Sequence, residues 1–189
     1  MITTSVTEAA ECLKQGQVLA YPTEAVWGLG CDPLNETAFL KILALKQRPI
    51  EKGVILLASQ LTQVEHLLNS LDAEMQQQVL DSWAPQNAHE RATTWLLPAG
   101  DHIPAWIKGK HSKVAVRVTM HPLCVALCHA FNGFIVSTSA NPAGASPARS
   151  LQDANQYFSN QVHYLNGDLG LSQEPSRIID AVTGEIIRA

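Results

Sequence analysis

The sequence predicts an α/β fold in which helices cover a central mixed sheet. Runs of strand character alternate with runs of helical spacing along the 189 residues. Most of the strand runs are apolar throughout, as expected of strands buried on both faces. Between Thr94 and Val118 two strand runs follow each other with no clear helix between them. That spacing favours a mixed sheet over a fully parallel one.

In chain order, Thr4 or Ser5 caps a first helix that runs to about Gln15, and Gly16 stops it. Val18 to Tyr21 is short, apolar and ended by Pro22, which reads as a buried strand. Ala38, Ile42 and Leu45 form one stripe of a helix from Asn35 to Gln47, closed by Pro49. Val54 to Ala58 is a second buried strand, followed by helical patterns at Thr62–Asn69 and Asp72–Trp83. Thr94 to Leu97 is a strand bounded by Pro98 and Gly100. In Val114 to Val118 the alternation sets Ala115 and Arg117 on the face opposite the three valines. Pro122 suits the first turn of a helix reaching about Phe131. Phe134 to Thr138 is an apolar strand that runs into a small-residue loop ending at Gly144. A helix at Leu151–Phe158 and strands at Val162–Leu165 and Ile178–Asp180 complete the chain. No internal repeat or domain linker interrupts this order, so one domain over residues 1–189 is expected.

Hydrophobic residues make up 46% and charged residues 16%, enough apolar material for a sizeable core. With 13 Lys and Arg against 17 Asp and Glu, net charge −4, a whole-protein attraction to nucleic acid is not expected. Any anion site must then be a local cluster. No apolar run is long enough to span a bilayer, and the first residues lack the pattern of a signal peptide. A cytoplasmic protein is expected, with Cys12, Cys31, Cys124 and Cys128 as free thiols.

Three segments combine polar groups with strand or helix ends. Tyr21-Pro22-Thr23-Glu24 leads into Trp27-Gly28-Leu29-Gly30; a Thr at a strand end can face a ligand, or simply form a turn. Lys46, Arg48 and Lys52 stand at even-numbered positions where a helix gives way to extended chain, and if extended they point the same way. They can bracket a polyphosphate, although cations at a helix C-terminus are also favoured by its dipole alone. Ser137-Thr138-Ser139-Ala140-Asn141 ends a strand in four polar side chains before Pro142 and Gly144, a density that favours ligand binding. No GxxxxGK[ST], GxGxxG or GxSxG motif is present. His121, Cys124, Cys128 and His129 cluster in sequence, but only the first three share a helix face, which falls short of a four-ligand zinc site. His66 and His111 read as surface histidines.

Taken together, YPTEAVWGLGCDP, LKQRPIEKGVILLAS, TWLLPA, VAVRVTMHPL, IVSTSANPAGASP and PSRIID resemble, in order, the YrdC/TsaC family of threonylcarbamoyl-AMP synthases. The resemblance implies a twisted sheet with a concave basic pocket. It implies a nucleotidyltransferase that joins L-threonine, bicarbonate or CO2 and ATP into threonylcarbamoyl adenylate, releasing pyrophosphate, for threonylcarbamoyladenosine in tRNA. By the same resemblance Lys46, Arg48, Ser139 and Asn141 are the catalytic signature. Thr23, Arg117 and Ser137 are implied to bind threonine; Arg48, Lys52, Ser139, Asn141, Pro147 and Arg149 are implied to bind ATP. Magnesium is expected on the ATP phosphates, with no metal site of the protein's own. The partners implied are the proteins that transfer the threonylcarbamoyl group to tRNA. A non-catalytic module with weak binding to double-stranded RNA or tRNA is the rival reading, and the negative net charge counts against it. One departure stands out: Trp83 is followed by a longer polar segment, Ala84–Ala92, where the family has a Trp-Pro-Gly-Pro turn at the pocket rim.

Overall fold

The computed structural model describes residues 1–84, 91–100 and 102–189. Most of the long segment after Trp83 therefore lies outside the described residues.

The strands are β1 (Ile2–Thr3), β2 (Leu19–Pro22), β3 (Trp27–Gly30), β4 (Ile55–Ala58), β5 (Thr93–Pro98), β6 (Lys113–Val118), β7 (Ile135–Ser139), β8 (His163–Leu165), β9 (Arg177–Asp180) and β10 (Ile186–Arg188). Among the described residues they form one mixed sheet in the order β1-β8-β2-β3-β7-β4-β6-β5-β9-β10. The helices are α1 (Val6–Lys14), α2 (Glu36–Lys46), α3 (Glu65–Leu68), α4 (Ala73–Ser82), α5 (Ala105–Lys108), α6 (Pro122–Phe131) and α7 (Leu151–Phe158).

Local chemistry explains the helix ends. Ser5, Asn35, Asp72 and Ser150 each accept a backbone N–H three residues on. Such caps contribute about 1 kcal/mol each. Gln47 and Asn132 end α2 and α6 in the left-handed conformation.

Two apolar layers sandwich the sheet. On one face Ala20, Leu29, Leu56, Val114, Val116 and Val136 pack with Phe39 and Ile42 of α2, Leu67 of α3 and Phe158 of α7. On the other, Leu19, Tyr21, Leu57 and Ile135 pack beneath Leu13 of α1 and Leu127 and Cys128 of α6. Full burial of each such large side chain contributes roughly 1.5–3 kcal/mol.

The structure differs from expectation in four places. Thr62–Asn69 is a 3-10 turn (Leu61–Gln63) followed by the single turn of α3, rather than one helix. A short helix, α5, does occur between β5 and β6. Trp27–Gly30 is a strand despite two glycines. A Cβ on Gly30 would stand 2.3 Å from the Val136 carbonyl oxygen, so the close approach of β3 to β7 requires glycine. The two-residue β1 and the exposed β10 are edge strands whose short, one-sided patterns carry little signal. The four thiols are buried and unpaired. Cys124 Sγ donates to the Pro22 carbonyl at 3.1 Å.

Candidate active site

Helices α1 and α6 cover only part of their face of the sheet. Across the strand register, Ser137 and Ser139 of β7, Ile55 of β4, Ala115 and Arg117 of β6, Leu96 of β5 and Asp180 of β9 share that same face. They line a cavity of about 620 Å³, a size suited to small-molecule ligands.

Thr23 enters the cavity from the turn after β2. Its hydroxyl donates to the Val26 carbonyl at 2.7 Å, and its N–H donates to the same oxygen at 3.1 Å. The turn therefore holds a buried threonine against the cavity wall. Glu24 follows it. Arg117 Nη1 lies 3.3 Å from Glu24 Oε2, and both side chains are largely buried. Glu24 Oε1 accepts from Thr119 Oγ1 at 2.6 Å and from the Met120 N–H at 3.3 Å. Burial pushes the Glu24 carboxyl pKa up, but Arg117, Thr119 and a backbone N–H outweigh it and hold it below the usual carboxylate value. A buried arginine requires an anion. Glu24 supplies one from within the chain, while Arg117 Nε remains buried without a hydrogen-bond partner.

The expected cations separate at the end of α2. The Lys46 ammonium is buried and donates to the carbonyl oxygens of Ser139 and, at 2.8 Å, Asn141. It ties α2 to the loop after β7 and does not line the cavity. Arg48 does line it, and its Nη2 donates to the Gly53 carbonyl at 2.9 Å. Lys52, exposed on a 3-10 turn (Ile50–Lys52) rather than extended chain, also lines it.

Burial, reinforced by nearby Arg48, lowers the Lys46 pKa to about 8. An NMR titration of its ammonium is expected to show a midpoint near that value, with the charge lost as pH rises through it. A midpoint at the ordinary lysine value of about 10.4 would contradict the buried geometry.

Asn141 braces its own loop. Its Nδ2 donates to the carbonyls of Pro142 at 3.0 Å and Ala145 at 2.8 Å, leaving Oδ1 buried and unpartnered. The loop then returns, with Ala148 N–H bonding the Ala140 carbonyl at 3.0 Å and Trp27 N–H bonding the Ala148 carbonyl at 2.8 Å. Pro147 and Arg149 do not line the cavity; Arg149 is exposed. The fold thus brings Thr23, Arg48, Lys52, Arg117, Ser137 and Ser139 to one cavity, while Lys46 and Asn141 are not among its lining residues.

Sequence reasoning missed further lining residues. Lys108 and His111 come from α5 and the segment after it. Lys113 bonds Asp180 at 2.5 Å. Arg188 donates to the Ser176 carbonyl at 3.0 Å from Nε and 2.6 Å from Nη2. The signal for Glu24 was present, since an acid next to a site threonine can answer a buried arginine. Nothing local marks Arg188, which reaches the cavity only because β9 and β10 pair at the far edge of the sheet.

The Sua5/YciO/YrdC family pattern, described as "Telomere recombination", matches residues 11–189. The chain belongs to this Sua5/YciO/YrdC family. A protein of Acinetobacter baumannii named threonylcarbamoyl-AMP synthase is 75% identical over 188 residues, covering 100% of both chains. One of Acinetobacter baylyi with the same name is 71% identical over 189 residues, covering 100% of this chain and 98% of the other. Among solved structures, P. abyssi Sua5 complexed with L-threonine superposes with a TM-score of 0.79 at 27% identity. That match covers 93% of this chain and 50% of the P. abyssi chain, so the likeness spans about half of the longer protein. The Sua5/YciO/YrdC membership agrees with the twisted mixed sheet and with the order of the motifs along it.

Proposed function

We propose that the chain is a threonylcarbamoyl-AMP synthase, acting as one catalytic domain in the cytoplasm. The observation that carries this reading is the meeting of Thr23, Ser137 and Arg117 with Arg48, Lys52 and Ser139 in one cavity. The first set suits an amino acid and the second a polyphosphate. The full-length relatives named for this activity support it.

The chemistry has two steps. The neutral amine of L-threonine attacks CO2 supplied by bicarbonate; an N–C bond forms, a proton leaves, and a carbamate results. A carbamate oxygen then attacks the α-phosphorus of ATP, a P–O bond forms, and the bond to the bridging oxygen breaks as pyrophosphate leaves. The second nucleophile is already an anion, so catalysis rests on positioning and charge stabilisation. Thr23 and Ser137 orient threonine, and Arg117, held by Glu24, binds its carboxylate or the carbamate. Arg48 and Lys52 face the phosphates, and Ser139 hydrogen-bonds them. Lys46 and Asn141 set the shape of the loop that carries Ser139. Pro147, on that loop, and Arg149, just after it, do not line the cavity and belong to the nucleotide's surroundings rather than to direct contact.

The cavity carboxylates Glu24, Asp180 and Glu174 are engaged with Arg117, Lys113 and Arg91. Magnesium carried in with ATP would then need few ligands from the protein and would supply charge neutralisation to the phosphates. The adenylate passes to the proteins that load threonylcarbamoyl onto tRNA.

Pyrophosphate release from ATP, bicarbonate and each amino acid in turn tests the reading. Release only with L-threonine is expected. RNA affinity without any turnover would replace it with the binding-module reading.

A further inference from the structure

We propose that the turn around α5 completes the polyphosphate end of the cavity, with Lys108 and His111 gripping the β- and γ-phosphates and the leaving pyrophosphate. The proposal rests on the synthase reading above and extends its site to residues outside the family signature.

Two neighbouring turns build this rim. The first is Ile50–Gly53, directly after Arg48; the second is Ala105–His111. Val54 N–H donates to the Ile107 carbonyl at 3.0 Å, and Lys110 N–H donates to the Glu51 carbonyl at 3.3 Å. Gly109 adopts φ +62°, and a Cβ there would stand 2.5 Å from the Glu51 carbonyl oxygen. Only glycine permits that approach. Arg48 joins the same unit by donating to the Gly53 carbonyl at 2.9 Å. Arg48, Lys52, Lys108 and His111 therefore line the cavity from one braced element.

Glu51 on the same element is exposed and makes no ion pair with these cations among the described residues. Among the described residues, ion pairs engage Arg91, Lys113 and Arg117, whereas Arg48, Lys52 and Lys108 have no carboxylate partner. Three unpaired cations and an imidazole at one lip of a cavity match a chain of phosphates, which carries several negative charges over a short span. Threonine carries a single carboxylate and is served by Arg117 deeper on the sheet.

The test is calorimetric binding of inorganic pyrophosphate to the full chain, with threonine binding measured beside it. Lys108→Gln and His111→Gln are chosen because both side chains lie outside the apolar core. Lys108→Gln is expected to weaken pyrophosphate binding about tenfold, in line with the loss of a charge-assisted contact. His111→Gln is expected to weaken it by less, and threonine affinity is expected to stay within twofold. Pyrophosphate binding unchanged by Lys108→Gln, absent from the wild-type chain, or weakened only in step with threonine would each overturn the proposal. The binding arm is independent of turnover. If the wild-type chain makes no adenylate while Lys108→Gln still weakens pyrophosphate binding, the synthase reading falls and the polyphosphate rim stands.

Discussion

Arg48→Ala is expected to reduce threonine-dependent pyrophosphate formation on the order of a hundredfold or more while leaving the fold intact. Arg48 lines the cavity, is only half-buried, and meets the protein through the carbonyls of Gly53 and Lys52. It makes no ion pair among the described residues, so its loss strands no buried carboxylate. What the variant lacks is a fixed fork of donors where charge grows on the departing phosphates. Arg48→Lys separates charge from geometry. It restores a cation without the planar fork, so partial rescue of kcat is expected rather than full rescue. Steady-state kinetics with a thermal melt on the same samples checks both points. Wild-type turnover by Arg48→Ala would remove this residue from the site.

Glu24→Gln is expected to cost on the order of 3 kcal/mol of stability, because it leaves the Arg117 guanidinium buried without its anion. For a chain of this size that corresponds to a fall in Tm of roughly 6–12 °C. The pH dependence has a definite sign. Glu24 has its pKa held below the ordinary value of 4.5, burial opposing and Arg117 with the hydrogen bonds prevailing. Its contribution is therefore fully present above about pH 4.5 and is lost as pH falls through the lower folded value. Wild-type stability should drop in that acid window, and Glu24→Gln should lack that component. Adding Arg117→Met to Glu24→Gln should recover part of the stability, since an apolar pair replaces an orphaned charge. A wild-type Tm for Glu24→Gln at neutral pH would show that the pair carries no such load.

Much of this architecture was legible because it is written in local patterns. Helix α6 is predicted at its observed ends, since Pro122 at the first turn and the apolar run to Phe131 are strong signals. The alternation in β6 places Arg117 on the face that becomes the cavity. What escaped sequence reasoning depends on distant pairing. Trp27–Gly30 is a strand that β7 can approach closely because Gly30 has no side chain. Likewise, the Lys46 ammonium is engaged by the carbonyls of Ser139 and Asn141, far along the chain, a partnership that helix-end chemistry cannot anticipate. The even-numbered positions of Lys46, Arg48 and Lys52 suggest three side chains pointing the same way in extended chain. The left-handed Gln47 and the 3-10 turn at Ile50–Lys52 break that pattern. The alternation in β6 gives no hint of what faces Arg117; that Glu24 is there to meet it emerges only when the turn after β2 is folded against β6.

The central claim is that one cavity holds the amino acid and the nucleotide side by side. A crystal structure of the chain soaked with L-threonine and a non-hydrolysable ATP analogue tests it most directly. Threonine should lie against Thr23, Ser137 and Arg117, with its amine turned toward the α-phosphate and the phosphate chain running past Ser139 to Arg48 and Lys52. Both ligands bound outside this cavity, or threonine and triphosphate too far apart to be bridged by a carboxylate, would contradict the account.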